Sequence, residues 1–315
     1  MIELMMNHPY IDDLKAVSVE RYIDARKQSF PNLDEDFSAL KNYQTMIVMT
    51  MAYPKKLETW LGKGYGLVSR YSYGMDYHLV FKTVFEALKS NLDQQGIKHQ
   101  AYADISPIDE RFAAYLAGLG FLGKNQFLIH PKHGTYHYLG VMLVDQAVET
   151  MPYAYDRCGA CTACIDACPT GALDDGFDKR ICSSFVTQMK EPLTKEDIAP
   201  LKTMVFGCDI CQQVCPKNKA TALIERTVFN ADENSQLDLI ALLKMSNKAI
   251  TRKYRNYAFA FRGGLVLKRN AMALLYNQNV FKALPLMRDV YKQYQHVSWF
   301  SETAKKLIEE MEQKQ

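Results

Sequence analysis

The chain has 315 residues, enough for two or three domains, and 48% of them are apolar, so it can bury substantial cores. Charged residues make up 23% and the net charge is +3, which excludes wholesale disorder and gives no overall signal for nucleic acid. No signal peptide is visible, and no window approaches the roughly 18 apolar residues of a membrane span. These features predict a cytoplasmic protein without a membrane segment, in which eight cysteines are more typical of metal ligands or catalysts than of disulfides.

The first part of the sequence predicts an alternation of helices and strands. The apolar run TMIVMTMAYP is typical of a buried strand, and the amphipathic segment DYHLVFKTVFEALKSNLDQQG is typical of a helix that ends at a glycine. The predicted elements are, in chain order, helices over 1–44, a strand over 45–54, a helix closed by Gly96, a strand over 99–105, a helix capped by Ser106, and two strands joined at 131–134. This order indicates an α/β or α+β domain.

We expect three consecutive parts along the chain. Residues 1–150 form the mixed domain, residues 151–218 carry the cysteines, and residues 219–315 are helical without a strong strand signal. A dedicated electron carrier rarely needs so long a segment ahead of its cysteines, so the first part is expected to hold the substrate chemistry.

The cysteine spacing is typical of a bacterial ferredoxin. The stretch CGACTACIDACPTG reads C-x2-C-x2-C-x3-C-P, and GCDICQQVCPKN repeats it one cysteine short, with a lone cysteine between the two. In such runs the fourth cysteine ligates the other cluster of a pair. The expected ligands of one 4Fe–4S cluster are Cys158, Cys161, Cys164 and Cys215, and those of the other are Cys168, Cys182, Cys208 and Cys211. Zinc or disulfides are the alternatives, although zinc sites prefer two C-x2-C pairs.

Two segments of the first part could carry chemistry. Asp104 ends the strand over 99–105, where carboxylates often face a pocket, but on position alone a turn or capping aspartate is the favoured reading. Asp109 is interpreted as a capping residue. The glycines of GLGFLGKN, 118–125, fit either a tight helix-to-strand turn or a backbone that approaches a bulky ligand, and spacing does not separate these.

A basic and aromatic segment lies between Lys244 and Asn270. It contains eight Lys and Arg and no acid, with tyrosines and phenylalanines interleaved. Such a composition suits an RNA backbone and its unstacked bases, and it suits equally a solvated helical face whose aromatics pack inward. The sequence does not decide between the two.

Together these pieces resemble the epoxyqueuosine reductases, cobalamin-dependent enzymes that complete queuosine in tRNA. The resemblance covers residues 45 to 275 and rests on YGLVSRYSYGMDYH, YADISPIDER, GLGFLGKN, the double cysteine group and LKRNAMALL. It implies an α+β catalytic domain that binds cobalamin, a two-cluster ferredoxin-like domain, and a short α-helical, HEAT-like C-terminal region that contacts tRNA. It also implies an external low-potential electron donor, and we expect a monomer.

The resemblance assigns site residues as well. Its general acid falls on Asp104, which reverses the reading from position alone, and its cofactor contacts are Asp104, Lys124, Asn125, Asp209 and Ile210. The expected RNA contacts are Arg252, Lys253, Arg255, Lys268 and Arg269. Phe81 occupies the position of the glycine in the corrinoid-binding motif D-x-H-x-x-G, so cobalamin would bind without that motif. A cobalamin-independent electron-transfer protein or reductase and a tRNA-binding module with structural clusters are the alternatives.

Overall fold

The computed structural model describes residues 2–148, 150, 157–219, 221, 224 and 226–314. The chain divides into two compact units, and each is built from separate stretches of sequence. The first unit contains Met1–Pro54, Tyr77–Thr162 and Cys215–Glu225, and the second contains Lys55–Asp76, Ala163–Val214 and Arg226–Gln315. The predicted linear boundary at 218–219 does not separate the units, because the chain crosses between them several times. The boundary at 150–151 borders residues 151–156, which lie outside the described residues.

The described residues form nine strands and thirteen α-helices. The strands are β1 (Asp13–Ser18), β2 (Thr45–Ala52), β3 (Tyr65–Val68), β4 (His99–Tyr102), β5 (Phe121–Leu122), β6 (Leu128–Ile129), β7 (His137–Val144), β8 (Met204–Phe206) and β9 (Gln236–Asp238). The helices are α1 (Ile2–Met6), α2 (Val19–Ser29), α3 (Tyr77–Gln94), α4 (Glu110–Ala117), α5 (Ala163–Asp166), α6 (Ser183–Val186), α7 (Lys195–Ile198), α8 (Ile210–Gln213), α9 (Leu239–Lys244), α10 (Asn247–Lys253), α11 (Gly264–Asn277), α12 (Leu284–Tyr294) and α13 (Ser298–Gln313). None of the described helices has both the length and the apolar composition of a membrane span.

The first unit is organised around an antiparallel sheet with the strand order β1-β2-β7-β4. All eight residues of β2 are buried, as its continuous apolar run predicts. The helix α4 packs on one face, where Ala113 joins Val48 and Val141 in the core. On α3, the Phe81 ring lies so close to Gly140 of β7 that a Cβ there would sit 2.5 Å from a ring carbon. Helices therefore cover the strands β2 and β7 on both faces.

Two predictions for this unit are wrong in detail. The segment 1–44 contains the strand β1, whose inward-facing Leu14 and Ala16 follow the period of a strand rather than of a helix. The helix expected to start at Ser106 starts at Glu110, and its cap is Asp109, whose carboxylate accepts from the N–H of Phe112 at 3.1 Å. The Ser106 hydroxyl instead accepts from the N–H of Ile108, which closes a turn before the helix.

The second unit combines a small sheet with a helical core. The strand β3 pairs in parallel with β8 and antiparallel with β9. The helix α11 packs against α9 and α13, and its residues Ala271, Met272 and Leu274 are fully buried. The C-terminal part is helical as predicted, but β9 shows that it also supplies a strand to a sheet begun before residue 76. The protein thus has an α+β fold.

Candidate active site and cluster-binding segments

Three cysteines of the first predicted set lie near one another in the first unit. Cys215 is buried in a small cluster with Phe121 and Ile129, and Cys158 packs against it. Burial raises the pKa of the Cys215 thiol, and the neighbouring thiols of Cys158 and Cys161 raise it further. The fourth member of the set, Cys164, is buried in α5.

The second predicted set comes together in the second unit. Burial raises the pKa of the Cys208 thiol to about 12, with further contributions from the charges of Cys182 and Cys168. The pKa of Cys211 is also raised, first by burial and then by Cys208, Cys182, Cys164 and Cys168. Among the described residues no three His, Cys, Asp or Glu side chains form a site for a single metal ion. Burial and the proximity of other thiols favour the protonated form of these cysteines. Cysteines lose that proton when they bind iron as thiolates.

A buried ion pair between Asp209 and Arg70 anchors the loop of the second cysteine group. The Asp209 carboxylate accepts from the Ser69 hydroxyl at 2.5 Å and from the Arg70 N–H at 3.1 Å, and the Arg70 side chain lies 3.6 Å away. Gly207, with φ of 73°, allows this approach, because a Cβ there would lie 2.4 Å from the Ser69 Cβ. The Asp209 side chain is 1% exposed and anchors the loop, and its predicted contact with a cofactor stays a prediction. Ile210 is half-buried at the start of α8.

Lys124 and Asn125, both predicted cofactor contacts, have different surroundings. The Lys124 ammonium donates to the carbonyls of Gly159 and Cys161 at 3.0 and 2.9 Å, so it braces the first cysteine loop. Asn125 is 4% exposed; its Oδ1 accepts from the Phe127 N–H, and its Nδ2 is buried without a partner among the described residues. A buried amide without a partner is costly, so Asn125 is the better candidate to donate to a bound group.

The glycines of the 118–125 segment serve the turn itself. Gly118 ends α4 in the left-handed conformation, with φ of 81°. A Cβ on Gly120 would lie 2.3 Å from the Ile129 carbonyl oxygen across the β5–β6 hairpin. Of the two readings that the sequence left open, the structure supports the tight helix-to-strand turn.

Asp104 stands on a strained turn directly after β4. Its φ is 64°, which a residue other than glycine seldom adopts, and its side chain is 61% exposed. Its Oδ2 lies 3.5 Å from His78 Nε2, and its N–H donates to Glu110 Oε1 at 2.8 Å. Asp104 is therefore a turn aspartate and not a helix cap, which agrees with one of the two interpretations that its position favours, and its carboxylate is exposed.

The turn borders an open cleft of about 390 Å³ along α3 and β4. Phe81, Phe85 and Met142 form part of its apolar lining, and its charged lining consists of Lys82, Glu86 and Lys89. Ala103 and Ile105, on either side of Asp104, line the same cleft. The exposed carboxylate thus stands at the border of a concave surface.

Sequence reasoning missed Glu110. Burial raises the pKa of its carboxyl group to about 8; the charges of Asp104 and Asp109 also raise it, while the Asp104 N–H and His78 act in the opposite direction. The signal available in the sequence was a second acid next to the cap Asp109, a common feature of helix starts that carries no hint of burial.

The predicted RNA-binding residues separate into two sets. Arg252, Lys253 and Arg255 are exposed at the end of α10 and after it. Among the aromatic residues of this segment Phe261 is 61% exposed, whereas Tyr254 and Phe259 are buried. This segment therefore offers exposed cations and an exposed ring, over which the Arg262 guanidinium lies 5.4 Å from the ring centroid.

Lys268 and Arg269 do not belong to that surface, and the prediction that they contact RNA is wrong. Each is 1% exposed. The Lys268 ammonium donates to the Leu243 carbonyl at 2.7 Å, and burial lowers its pKa to about 8. The Arg269 guanidinium donates to the carbonyls of Val186, Met189 and Glu191, and burial lowers its pKa to about 10. Both cations satisfy backbone groups inside the second unit.

Comparison with known families agrees with the cysteine geometry. Residues 157–218 match the model of a 4Fe–4S double cluster binding domain, so the protein belongs to the class of iron–sulfur oxidoreductases. Residues 37–105 match the model described as epoxyqueuosine reductase QueG. The chain is 34% identical to an epoxyqueuosine reductase from Staphylococcus aureus over 80% of its own length and 68% of that protein. It is 34% identical to the one from Bacillus anthracis over 85% and 72%. The chain belongs to the epoxyqueuosine reductase family.

Solved structures of this family have the same fold. The epoxyqueuosine reductase of Bacillus subtilis, described with its catalytic aspartate loop swung out of the active site, matches with a TM-score of 0.85 and 26% identity over 98% of this chain and 89% of that one. The Streptococcus thermophilus structure gives 0.84 and 26% over 100% and 90%. A complex with an epoxyqueuosine-modified stem loop of tyrosine tRNA gives 0.81 and 23% over 98% and 96%, which supports the fold.

Proposed function

We propose that this chain carries out the reaction of its family on tRNA, with two 4Fe–4S clusters, cobalamin and Asp104 as the proton donor. The reaction reduces the epoxide of epoxyqueuosine to the alkene of queuosine. It consumes two electrons and two protons, and the epoxide oxygen leaves as water. The observation that carries the proposal is the exposed, strained Asp104 at a cleft in a member of this family.

The cysteines of each predicted set would hold one cluster. The mutually close thiols of Cys168, Cys182, Cys208 and Cys211 support the second set, and those of Cys158, Cys161 and Cys215 support three members of the first. Clusters ligated in this way pass single electrons at low potential. An external low-potential donor would reduce them.

Cobalamin would be held near the turn of Asp104 and the GLGFLGKN segment. The residues fit such a group in one respect, because the Asn125 amide is buried with an Nδ2 that has no partner in the part of the chain that the structure describes. Cobalamin, when bound, supplies the strongly reducing metal centre that epoxide cleavage needs.

The role of Asp104 would be to donate a proton to the departing epoxide oxygen. Its exposed carboxyl group is accessible to a base that enters the cleft, and His78 lies close enough to orient it. The cofactor and the modified base would together cover this side chain and exclude water from it. Positioned proton transfer of this kind contributes roughly 10²–10⁴ to a rate.

The tRNA would contact the cations near the end of α10. Arg252, Lys253 and Arg255 are exposed with no acidic residue among them, and Phe261 offers an exposed ring. Phosphate contacts by such residues release counterions, and a ring can stack on an unpaired base. The wobble base is unpaired in the anticodon loop, so its extrusion costs little. The helices α11–α13 would be the HEAT-like part of this region.

Asp104→Asn tests the proposal. Asparagine tolerates the left-handed backbone and keeps the shape, but it cannot donate the acidic proton. With anaerobically reconstituted protein, cobalamin binding followed by absorbance and tRNA binding should persist, while epoxide reduction falls by roughly 10²–10⁴. Full turnover by this variant would remove Asp104 from the chemistry, and an unchanged cobalamin spectrum with wild-type protein would favour a cobalamin-independent reductase.

A further inference from the structure

The turn that carries Asp104 has little to hold it. The Ile105 N–H donates to the Ala103 carbonyl at 2.8 Å, so Asp104 is the central residue of a three-residue turn. Its φ of 64° makes this the strained form of that turn, and residues in such conformations persist only where their surroundings fix them. Ile105 is 84% exposed, so the apolar side chain next to Asp104 contributes almost no packing.

One side chain fixes the backbone of this residue. The Glu110 carboxyl group accepts the Asp104 N–H at 2.8 Å, across six positions of sequence. Glu110 itself is well anchored, because it is the first residue of α4 and follows the cap Asp109. The helix α4 is held against the sheet by buried residues, among them Ala113 and Ala114.

We propose that Glu110 is a positioning residue that holds the turn of Asp104 in place, so that the Asp104 carboxyl group stays at the cleft and beside His78. The proposal rests on the proposed role of Asp104 as proton donor. It follows from the geometry: a single hydrogen bond joins a strained, exposed turn to a rigid helix. The Bacillus subtilis relative is described with its catalytic aspartate loop swung out of the active site.

The protonation state of Glu110 suits this task at neutral pH. With a pKa of about 8, its carboxyl group is mostly uncharged, so it accepts the Asp104 N–H without placing a second negative charge beside the Asp104 carboxylate. The charged groups that face it are Asp104, Asp109 and His78. As the pH rises through about 8 Glu110 ionises, and repulsion between the two carboxylates should then loosen the turn.

The test compares Glu110→Ala, Glu110→Gln and the control Asp109→Asn in the reconstituted full chain. Alanine removes the acceptor, so amide hydrogen exchange in peptides over 101–107 should speed up about tenfold or more, and kcat should fall by a similar factor at unchanged KM for tRNA. Glutamine keeps an acceptor oxygen, so exchange and kcat at pH 7 should stay near wild type. Asp109→Asn keeps the helix cap and should change neither quantity.

The pH profile supplies an independent measurement. Wild-type kcat should decline above pH 8 with faster exchange over 101–107, and Glu110→Gln should lack that part of the decline. If Glu110→Ala folds and shows wild-type amide exchange and wild-type kcat, the inference is wrong. If Glu110→Ala does not fold, an unchanged pH profile in Glu110→Gln overturns the inference instead. An active Asp104→Asn would remove the proposed proton donor, whereas the exchange data would still decide whether Glu110 holds the turn.

Discussion

Replacement of Arg269 by methionine tests whether the buried cations of α11 serve structure or RNA. The guanidinium donates to the Val186, Met189 and Glu191 carbonyls at 2.9, 2.7 and 3.0 Å. Methionine fills the space and removes all three donors. Because the side chain is 1% exposed, water cannot replace them.

The magnitude follows from those three carbonyl groups. A buried acceptor left without a donor costs about 1–3 kcal/mol, so three cost roughly 3–9 kcal/mol. The substitution also removes the free-energy cost of burying a guanidinium, which is several kcal/mol. The same desolvation lowers the pKa of Arg269. We expect a net loss of about 3 kcal/mol in the free energy of unfolding.

Thermal or urea unfolding of the anaerobic protein measures this loss, and titration with an anticodon stem-loop measures the RNA affinity of the folded fraction. We expect a lower stability and an unchanged dissociation constant. Arg269→Lys is the matched control, since it keeps the charge but reaches fewer carbonyls and should lose less. Wild-type stability with weakened RNA binding would refute the assignment of Arg269 to the interior.

Three further predictions concern the clusters, the RNA surface and the pH dependence. Cys182→Ala should damage one cluster and spare the other, so that iron and sulfide fall from about eight of each per chain toward about four; bound zinc or an unchanged count would contradict the ligand assignment. Charge reversal of Arg252, Lys253 and Arg255 together should weaken tRNA binding and reduce its salt dependence while leaving cobalamin binding and stability alone, and an unchanged affinity would make these residues a solvated face. Burial favours the neutral form of Glu110, so the stability that this form contributes is complete below pH about 4.5 and is lost progressively until the pH passes about 8. The melting temperature of Glu110→Gln should therefore gain on that of wild type between pH about 5 and 8, and parallel curves would show that the carboxyl group ionises normally.

Local patterns in the sequence were enough for the cysteine segment and the main elements. Ligand spacing is a property of a few neighbouring residues, so C-x2-C-x2-C-x3-C-P indicates clusters without any knowledge of the fold, and the double cluster domain confirms it. The strand β2 and the helix α3 follow from an apolar run and an amphipathic period, and Gly96 ends the helical segment with φ of 68°. Motifs such as YADISPIDER and GLGFLGKN identified the family.

Burial and long-range contacts were decided by the tertiary structure. Lys268 and Arg269 look like the exposed cations near them in sequence, but α11 lies inside the second unit, and backbone carbonyls from distant loops need their donors. The strand β9 forms because β3, some 170 residues earlier in the chain, offers it an edge. In the sequence Glu110 is an ordinary first-turn acid, and only in the folded chain does burial raise the pKa of its carboxyl group. Desolvation depends on what packs against a side chain, which neighbours in sequence do not specify.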